Sequence, residues 1–309
     1  MQELRRRWQR ILAIKRDITT VPNMPRHRLG NASQAIDKLA FPHFLVLTEG
    51  GIGHMKEPAR LVKARDILLK HRRKIRRGYE FPGLKDAHDN SRSANIFFLG
   101  AIMDYQMNAD IVWNNAEELA DKLGSEDLWG KIARMPEDRW RRLRKDNGDY
   151  FHRFWDAQGN LSVAKKIQRV ARNVSGRFGG DVRAIWVNRT TEGVYEVLKN
   201  DVQVNLGNSD AIVRMIVLAL ENYGHVKGST SVKPDSNVKR VLGRVFYGEA
   251  ISKDSDAIEI ARTIYPRNPG RIDLPLYDIG KTFCRKTQPL CDSDTGCPLN
   301  GVCQYYIDT

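Results

Sequence analysis

The segment Cys284–Cys303, CRKTQPLCDSDTGCPLNGVC, contains all four cysteines of the 309-residue chain, at the spacing C-x6-C-x5-C-x5-C. A structural zinc site usually pairs its cysteines as C-x2–4-C, and none of these gaps is that short. A cubane iron–sulfur cluster is larger and takes thiolates from more widely separated positions. The spacing therefore favours a [4Fe–4S] cluster, with zinc, disulfides and free thiols as alternatives. The candidate ligands are Cys284, Cys291, Cys297 and Cys303.

Basic residues exceed acidic ones along the chain. Fifty-one Lys and Arg against 37 Asp and Glu give a formal net charge of +14, and the sequence pI is about 9.7. Such an excess attracts polyanions through long-range electrostatics and counterion release. Nucleic acid is the expected partner, and an acidic membrane surface is the alternative.

Neither a membrane span nor a secretion signal is visible in the sequence. No apolar run reaches the roughly 18–20 residues that cross a bilayer. The N-terminal segment MQELRRRWQRILAIKRDI is charged throughout and lacks a signal-peptide core. We therefore expect an intracellular protein, in the cytoplasm, nucleoid or nucleus, with no membrane partner. Thiols stay reduced there, which favours metal ligands over disulfides.

Apolar residues recur at helical spacing from about residue 92 to residue 265, with few strand-like alternations. Glycines that follow these segments, such as Gly124 and Gly179, are typical of helix C-termini. A further basic helix is predicted over EPARLVKARDILLKHRRKIRRGY, with Leu61, Ile67 and Leu68 on its buried side. The chain is therefore predicted to be all-α.

The cysteine segment resembles a known family. YDIGKTFCRKTQPLC followed by CPLNGVC resembles the C-terminal cluster loop of the endonuclease III-like iron–sulfur DNA glycosylases of the helix-hairpin-helix superfamily. The family pattern is C-x6-C-x2-C-x5-C with a proline after the third cysteine, where this chain has Pro298. The outer gaps agree and the middle gap is three residues longer. An insertion in a surface loop costs little chain entropy, so it is expected to bulge outward and leave the four ligands in place.

A second resemblance concerns the segment VKPDSNVKRVLGRVF. The family carries its catalytic aspartate in a pattern like V-D-T-x-V-x-R-V-x-x-R, and Asp235 falls at that position, with Val238, Arg240, Val241 and Arg244 in phase. Taken alone, Asp235 would be interpreted as the N-cap of the following helix. The cysteines begin about fifty residues downstream, as the family requires, and this favours the catalytic role that the resemblance implies.

The family's DNA-binding hairpin is expected near 204–211, where QVNLGNSDAIVRMIVLAL is similar to L-P-G-V-G-x-K-T-A. Hairpin N–H groups would contact a DNA phosphate. The predicted contact residues are Asn205, Leu206, Gly207, Asn208 and Ser209. Ser209 takes the place of the lysine nucleophile of bifunctional members, so the resemblance implies a monofunctional enzyme without a Schiff base. Lys227 and Lys233 are the lysines that could substitute.

Other positions of this sequence match the family more locally. Gln106, in FFLGAIMDYQMNADIVW, is similar in place to a glutamine that fills the gap left by a flipped base; an exposed helical glutamine is the alternative. Arg285 and Lys286 follow the first cysteine and would contact phosphates. Ala101 and Ile102 occupy the region where adenine glycosylases carry a catalytic glutamate, which argues against their adenine-protonating chemistry.

The resemblance covers roughly residues 92–305 and implies a two-lobed all-α fold there, while residues 1–90 match no part of the family. Three parts are expected. A basic, mostly helical extension would cover 1–90, a helical core 91–272, and a cluster region packing with the N-terminal segments 273–309. It implies a monomeric DNA glycosylase that binds double-stranded DNA, flips a damaged, mismatched or modified base and hydrolyses its N-glycosidic bond. The alternatives are a non-catalytic DNA-binding protein with a structural metal cluster, a bifunctional glycosylase with AP lyase activity, and a redox module.

Overall fold

Helices and the turns between them make up the described part of the chain. The structure, a computed structural model, describes residues 57–75, 80–104, 109–124, 126–146, 162–204, 210–292 and 296–307. All of them belong to one compact unit, Glu57–Thr309. Within these ranges no β-strand occurs, and one isolated parallel bridge joins Thr190 and Lys227. The all-α prediction is confirmed for this part of the molecule.

Twelve α-helices are named here for the described ranges. They are α1 (Glu57–Arg72), α2 (Ser91–Met103), α3 (Ala109–Leu123), α4 (Leu128–Ala133), α5 (Glu137–Asp146), α6 (Ser162–Phe178), α7 (Thr191–Glu196), α8 (Ala211–Asn222), α9 (Ser236–Tyr247), α10 (Asp254–Ile264), α11 (Asp273–Thr282) and α12 (Gln304–Ile307). A π-helical turn, Val197–Asp201, continues α7, and 3-10 turns cover Val182–Ile185, Pro269–Ile272 and Asn300–Val302. Among the described residues, no helix is long and apolar enough to cross a membrane.

The first hydrophobic core lies among α2 to α8. Its centre is aromatic: Phe98 meets Trp129 edge-on, with ring centroids 5.4 Å apart and planes at 64°. Trp129 also donates a hydrogen bond of 2.8 Å from Nε1 to Oδ1 of the buried Asn95. Edge-to-face rings and a satisfied indole N–H are favourable in a dry interior. The chain's own side chains therefore fill this core.

The second hydrophobic core is assembled from two distant parts of the sequence. Helix α1 contributes Ala64 and Leu68, and the segment from Val232 onward contributes α9, α10 and α11. Helix α1 packs against α10 and α11. Three cysteines, Cys284, Cys297 and Cys303, are among the buried residues of this core. The cysteine segment is thus continuous with the apolar interior.

Helix α11 approaches the start of α9 closely because Gly280 has no side chain. A Cβ at Gly280 would lie 2.7 Å from Asn237 Cβ and 3.1 Å from both Asn237 Cα and O. Contacts that short do not fit in a packed interior. The glycine therefore sets the position of the first turn of α9.

The connection from α8 to α9 links the two cores through buried polar contacts. Glu221, on α8, accepts a 3.0 Å hydrogen bond at Oε2 from Thr230 N and a 3.1 Å bond at Oε1 from Asn268 Nδ2. Gly270 N donates to Thr230 O over 2.9 Å. These bonds fix the path of the chain that leads into Lys233 and Asp235.

Candidate functional site

Asp235 is the N-cap of α9. Its backbone is extended, with φ −75° and ψ 177°, and its Oδ1 accepts hydrogen bonds of 2.8 Å from Asn237 N and 2.9 Å from Val238 N. A carboxylate at this position also meets the positive end of the helix dipole. One oxygen of Asp235 therefore holds the side chain in a fixed orientation, as the N-cap interpretation predicts.

The second carboxylate oxygen of Asp235 faces a lysine. Lys233 Nζ lies 3.3 Å from Asp235 Oδ2, and the two side chains are 18% and 21% exposed, respectively. Lys233 Nζ also lies 5.2 Å from the centroid of the Tyr277 ring, within the range of a cation–π contact. Its backbone N–H donates to Oδ1 of the buried Asp273. The pair is thus held on several sides and still reaches solvent.

A third carboxyl group, Asp104, comes from the first core. Asp104 follows the last residue of α2. Burial raises the pKa of Asp104; the charge of Lys233 lowers it and that of Asp235 raises it, and the net direction is upward. The charges of Asp104, Lys233 and Asp235 are therefore close enough to interact. We call Asp104, Lys233, Asp235 and Asp273 the Lys233 cluster.

One ammonium stands among the carboxyl groups of the Lys233 cluster. Burial by itself would lower the pKa of Lys233, but Asp235, Asp273 and Asp104 outweigh it, and that pKa lies above its ordinary value. Lys233 is therefore an ammonium at neutral pH. An ammonium has no lone pair, so in this arrangement Lys233 is a charge and not a nucleophile.

Sequence reasoning missed Asp104. The signal was present: ten successive residues, Ala94–Met103, are buried, and Asp104 directly follows this apolar run. An ionisable group in such a place is unusual and indicates a partner or a function. Its proximity to Lys233 depends on contacts between residues more than a hundred positions apart, which no local pattern reveals.

Helix α9 connects Asp235 to the cysteine segment through two arginines. The Arg240 guanidinium donates to the carbonyl oxygens of Cys284 and Gly280. Arg244 Nη1 lies 3.5 Å from Cys284 Sγ and donates to Arg285 O over 2.6 Å, while Nη2 donates to Lys286 O over 3.2 Å. Both arginines of the motif therefore hold the backbone that follows α11.

The four cysteines influence one another. All four lie in described segments and none forms a disulfide. Burial raises the pKa of the Cys297 thiol to about 11, with smaller contributions from Cys291, Cys303 and Cys284. Burial likewise raises the pKa of Cys303, with Cys284 and Cys291 adding to it. The sulfurs are near enough for their charges to interact.

The donor set fits a metal group in chemistry. Metal binding requires thiolates, and several negative thiolates in one buried site need positive charge nearby. A bound metal group would supply that charge, and the Arg244 guanidinium would add to it. Across the described residues, however, no three or more His, Cys, Asp or Glu side chains form a group that could hold a metal ion as they stand. The four sulfurs are close but are not gathered like the ligands of one ion.

The other predicted site residues fall into two groups. Arg285 and Lys286 are exposed and follow Cys284 directly; Arg285 Nε donates to Thr282 O over 3.2 Å. Lys227 is exposed, and its carbonyl oxygen accepts a 3.0 Å hydrogen bond from Thr191 N in the bridge with Thr190. The remaining predicted residues lie outside the described part of the chain. These are Gln106, Asn205, Leu206, Gly207, Asn208 and Ser209.

The residues that flank the predicted hairpin form a polar group of their own. The Tyr195 hydroxyl donates to Asp210 Oδ2, and Lys199 Nζ lies 3.4 Å from the same oxygen. Asp210 precedes α8 but its side chain makes no capping hydrogen bond. Tyr195 and Lys199 therefore hold Asp210, immediately after residues 205–209.

Comparison with known proteins gives no relative from which a function would follow. No family model matches the chain, and no curated protein matches it. A functional conclusion therefore depends on the residues of the site and on their arrangement.

Proposed function

We propose that the protein is a monofunctional DNA glycosylase that hydrolyses the N-glycosidic bond of a damaged, mismatched or modified base in double-stranded DNA. One observation carries the proposal. Asp235 is held in a fixed orientation at the start of α9 and remains partly exposed beside Lys233, while the same helix reaches the cysteine segment through Arg244.

Asp235 would stabilise the charge that develops during base release. As a base leaves deoxyribose, positive charge builds up on the sugar, and a carboxylate close to it lowers the barrier or directs a water molecule. Two backbone N–H groups orient the carboxylate before substrate arrives. Such preorganisation means that little reorganisation is needed in the transition state.

Lys233 would pair with Asp235 and would not attack the sugar itself. Its ammonium lies 3.3 Å from Asp235 Oδ2, and its raised pKa disfavours the neutral amine. A Schiff base needs that neutral amine. This supports hydrolysis by water over the bifunctional alternative with AP lyase activity.

Asp104 would act as the proton-holding group of the cluster. Its pKa is raised, chiefly by burial, so it retains a proton more readily than an ordinary aspartate. A carboxylic acid next to a carboxylate is the arrangement in which one group donates a proton and the other stabilises charge. Asp104 would then donate a hydrogen bond or a proton to the departing base.

The four cysteines would hold a [4Fe–4S] cluster, with zinc as the alternative. A zinc ion needs four sulfurs at about 2.3 Å from one point, whereas a cubane distributes its thiolates over four iron atoms. The C-x6-C-x5-C-x5-C spacing lacks the short C-x2–4-C pairs typical of zinc sites, which favours the cubane. When bound, the group would cross-link the segment that carries Arg285 and Lys286. These two exposed residues would then contact DNA phosphates.

The net charge of +14 supports DNA as the partner. We propose that the protein acts as a monomer on intracellular DNA. The predicted hairpin at 205–209 would supply backbone N–H groups to a phosphate, and Gln106 would fill the space left by the flipped base.

Substitution of Asp235 tests the proposal. Duplex oligonucleotides that carry uracil, thymine mismatches, oxidised pyrimidines or modified cytosines are screened for base release by the wild type. On the substrate found, Asp235→Asn is expected to lower the single-turnover rate by about 10³-fold, in the range of a lost catalytic carboxylate. Its DNA affinity is expected to change less than about twofold.

Asp254→Asn is the matched control. Asp254 also begins a helix of the second core and pairs with a lysine, Lys239, at 2.9 Å, but it lies outside the Lys233 cluster. Its excision rate should remain at the wild-type level. Base release by Asp235→Asn at the wild-type rate contradicts the assignment, and tight DNA binding without base release from any substrate favours the non-catalytic alternative. Borohydride trapping of the wild type on DNA would show an amine nucleophile.

A further inference from the structure

Helix α6 has an unusually one-sided charge. Its sequence, SVAKKIQRVARNVSGRF, contains five basic residues and no acidic residue. One side packs into the first core; its members Ala164, Ile167, Val170, Ala171 and Val174 are each 0% exposed. On the outer side Lys165, Arg169 and Arg172 are exposed. With 3.6 residues per turn these three positions lie along one stripe, which we call the α6 stripe.

The α6 stripe lies next to the segment that leads into the predicted hairpin. Arg169 Nη2 lies 3.4 Å from Gln203 O, and Asn173 Nδ2 donates to Val202 O over 3.0 Å. Arg177 Nη1 forms an ion pair of 2.6 Å with Asp201 Oδ1. Helix α6 is thus tied to residues 201–203, directly before 205–209.

Helix α5, which precedes α6 in the sequence, is a basic helix with arginines paired to acids of the same helix. Its Arg141 pairs with Glu137 and its Arg142 pairs with Asp138 at 2.7 Å, each one turn away on the same helix. Helix α6 contains no acid that could pair in this way. Pairing along α6 itself is thus excluded; Arg177 pairs instead with Asp201 of the adjoining segment, and Lys165 and Arg172 are exposed.

We propose that the α6 stripe binds the phosphate backbone of duplex DNA and extends the contact beyond the hairpin. From Lys165 to Arg172 the helix rises about 10 Å, and a strand of B-DNA presents one phosphate per about 3.4 Å of axis. The outer cations, Lys165 and Arg172, are therefore far enough apart to contact different phosphates, and each counts as one contact. The inference rests on the proposed function only in taking DNA as the partner.

A membrane surface fits the α6 stripe less well. An interfacial helix inserts its apolar face between the lipids, whereas the apolar face of α6 is buried in the first core. The exposed side offers cations without apolar neighbours on the stripe. DNA is a regular polyanion, and a protein can bind it through charge alone.

The test compares two double variants. In Lys165→Gln/Arg172→Gln, two stripe cations are removed while Arg169, which contacts Gln203 O, is retained. Affinity for an undamaged 30-base-pair duplex is measured by fluorescence anisotropy between 50 and 300 mM NaCl. Each lost phosphate contact lowers the salt slope of log K by about 0.9, so the slope is expected to fall in magnitude by about 1.8.

Arg141→Gln/Arg142→Gln is the control, because it removes the same formal charge from the paired arginines of α5. Its salt slope should stay within about 0.4 of wild type. An unchanged slope for the α6 variant overturns the inference, and so does an equal fall for both variants, since that would be an effect of net charge. Binding is measured without base release, so absence of excision alone refutes the proposed function and leaves this inference standing.

Discussion

The two hydrophobic cores differ in their continuity along the sequence and in the side chains that fill them. The first is continuous in sequence and centred on large aromatic rings such as Phe98, Trp129 and Trp186. The second joins α1 to the C-terminal third of the chain, has no aromatic residue among its fully buried members, and includes three thiols. Large apolar side chains stabilise an interior through burial alone, and a buried free thiol does so as a small apolar group. If the cysteines bind the proposed cluster, the stability of the second core also includes the free energy of metal binding, whereas that of the first core does not.

The site reflects the same division. The first core contributes Asp104 alone to the Lys233 cluster, and the second contributes Lys233, Asp235 and Asp273. Loss of order in the second core would therefore remove most of the site, whereas a local change in the first would leave most of it in place. Four substitutions test this contrast, and they follow in order of decreasing effect.

Cys297→Ser should separate the two cores most strongly. Without one ligand the proposed iron group is lost or weakened, and the free energy of metal binding is part of the folding free energy. We expect the iron content to fall well below that of the wild type. Amide hydrogen exchange should accelerate in α9–α11 but not in α2–α8. Iron analysis and exchange mass spectrometry measure both quantities. Wild-type iron content and protection would remove Cys297 from the ligand set.

Phe98→Ala should affect the first core and spare the second. Phe98 is fully buried and contacts Trp129 and Trp186. Truncation of a buried phenylalanine costs about 3–5 kcal/mol through lost burial and a cavity. Urea unfolding should report a loss of this size while the iron content per protein stays constant. A fall in iron as large as that of Cys297→Ser would mean that the cores are not separate.

Gly280→Ala should disturb the site without removing any of its groups. The added Cβ would come within 2.7 Å of Asn237 Cβ, so α11 must move away from the start of α9, at a cost of about 1–3 kcal/mol. Base release should slow as well, because Asp235 begins α9. Gly176→Ala in α6 is the control: nothing lies within 4 Å of its new Cβ, and removal of a helical glycine should stabilise by about 0.5–1 kcal/mol. Equal effects of the two substitutions would refute a special contact at Gly280.

Asp104→Asn should have the smallest effect on stability, and one that depends on pH. The pKa of Asp104 is higher in the folded protein than in the unfolded chain, so its ionisation disfavours the fold. At pH values below the ordinary carboxyl pKa, residue 104 is neutral in both the wild type and the variant, so the two proteins should melt at similar temperatures. As the pH rises through the folded pKa, only the wild type acquires the buried charge, so the variant should become more stable, by about 2–4 °C if the penalty is roughly 1 kcal/mol. Thermal melts from pH 4 to pH 8 check the sign, and a variant that loses stability with rising pH would contradict it.

Local features of the fold were predictable from the sequence. Gly124 was predicted to end a helix. It directly follows α3 and has a φ of +74°. Gly179 likewise follows α6, with a φ of +59°. Apolar spacing identified the buried side of α1, where Leu68 is 1% exposed. Such features depend on neighbours within one or two turns, and a single sequence contains them.

Features that depend on contacts between distant residues were less accessible. The phase of Arg240 and Arg244 was visible. Their targets are carbonyl groups between Gly280 and Lys286, and these follow from the packing of α9 against α11. The pairing of Lys233 with Asp235 needs a chain path fixed by Glu221 and Asn268. The predicted assignments of Asp235, of the cysteines and of the DNA contacts remain predictions that the proposed experiments address.

The split origin of the second core has a consequence for biosynthesis. Helix α1 leaves the ribosome long before α9, α10 and α11 exist. Among the described residues, its partners in the second core are therefore missing while some 160 further residues, 73–231, are being translated. The aromatic core between them is contiguous and can close first, since domains fold as their residues emerge. A chaperone that shields α1 during this interval, or a pause in translation after Val226, would then govern the yield of correctly folded molecules.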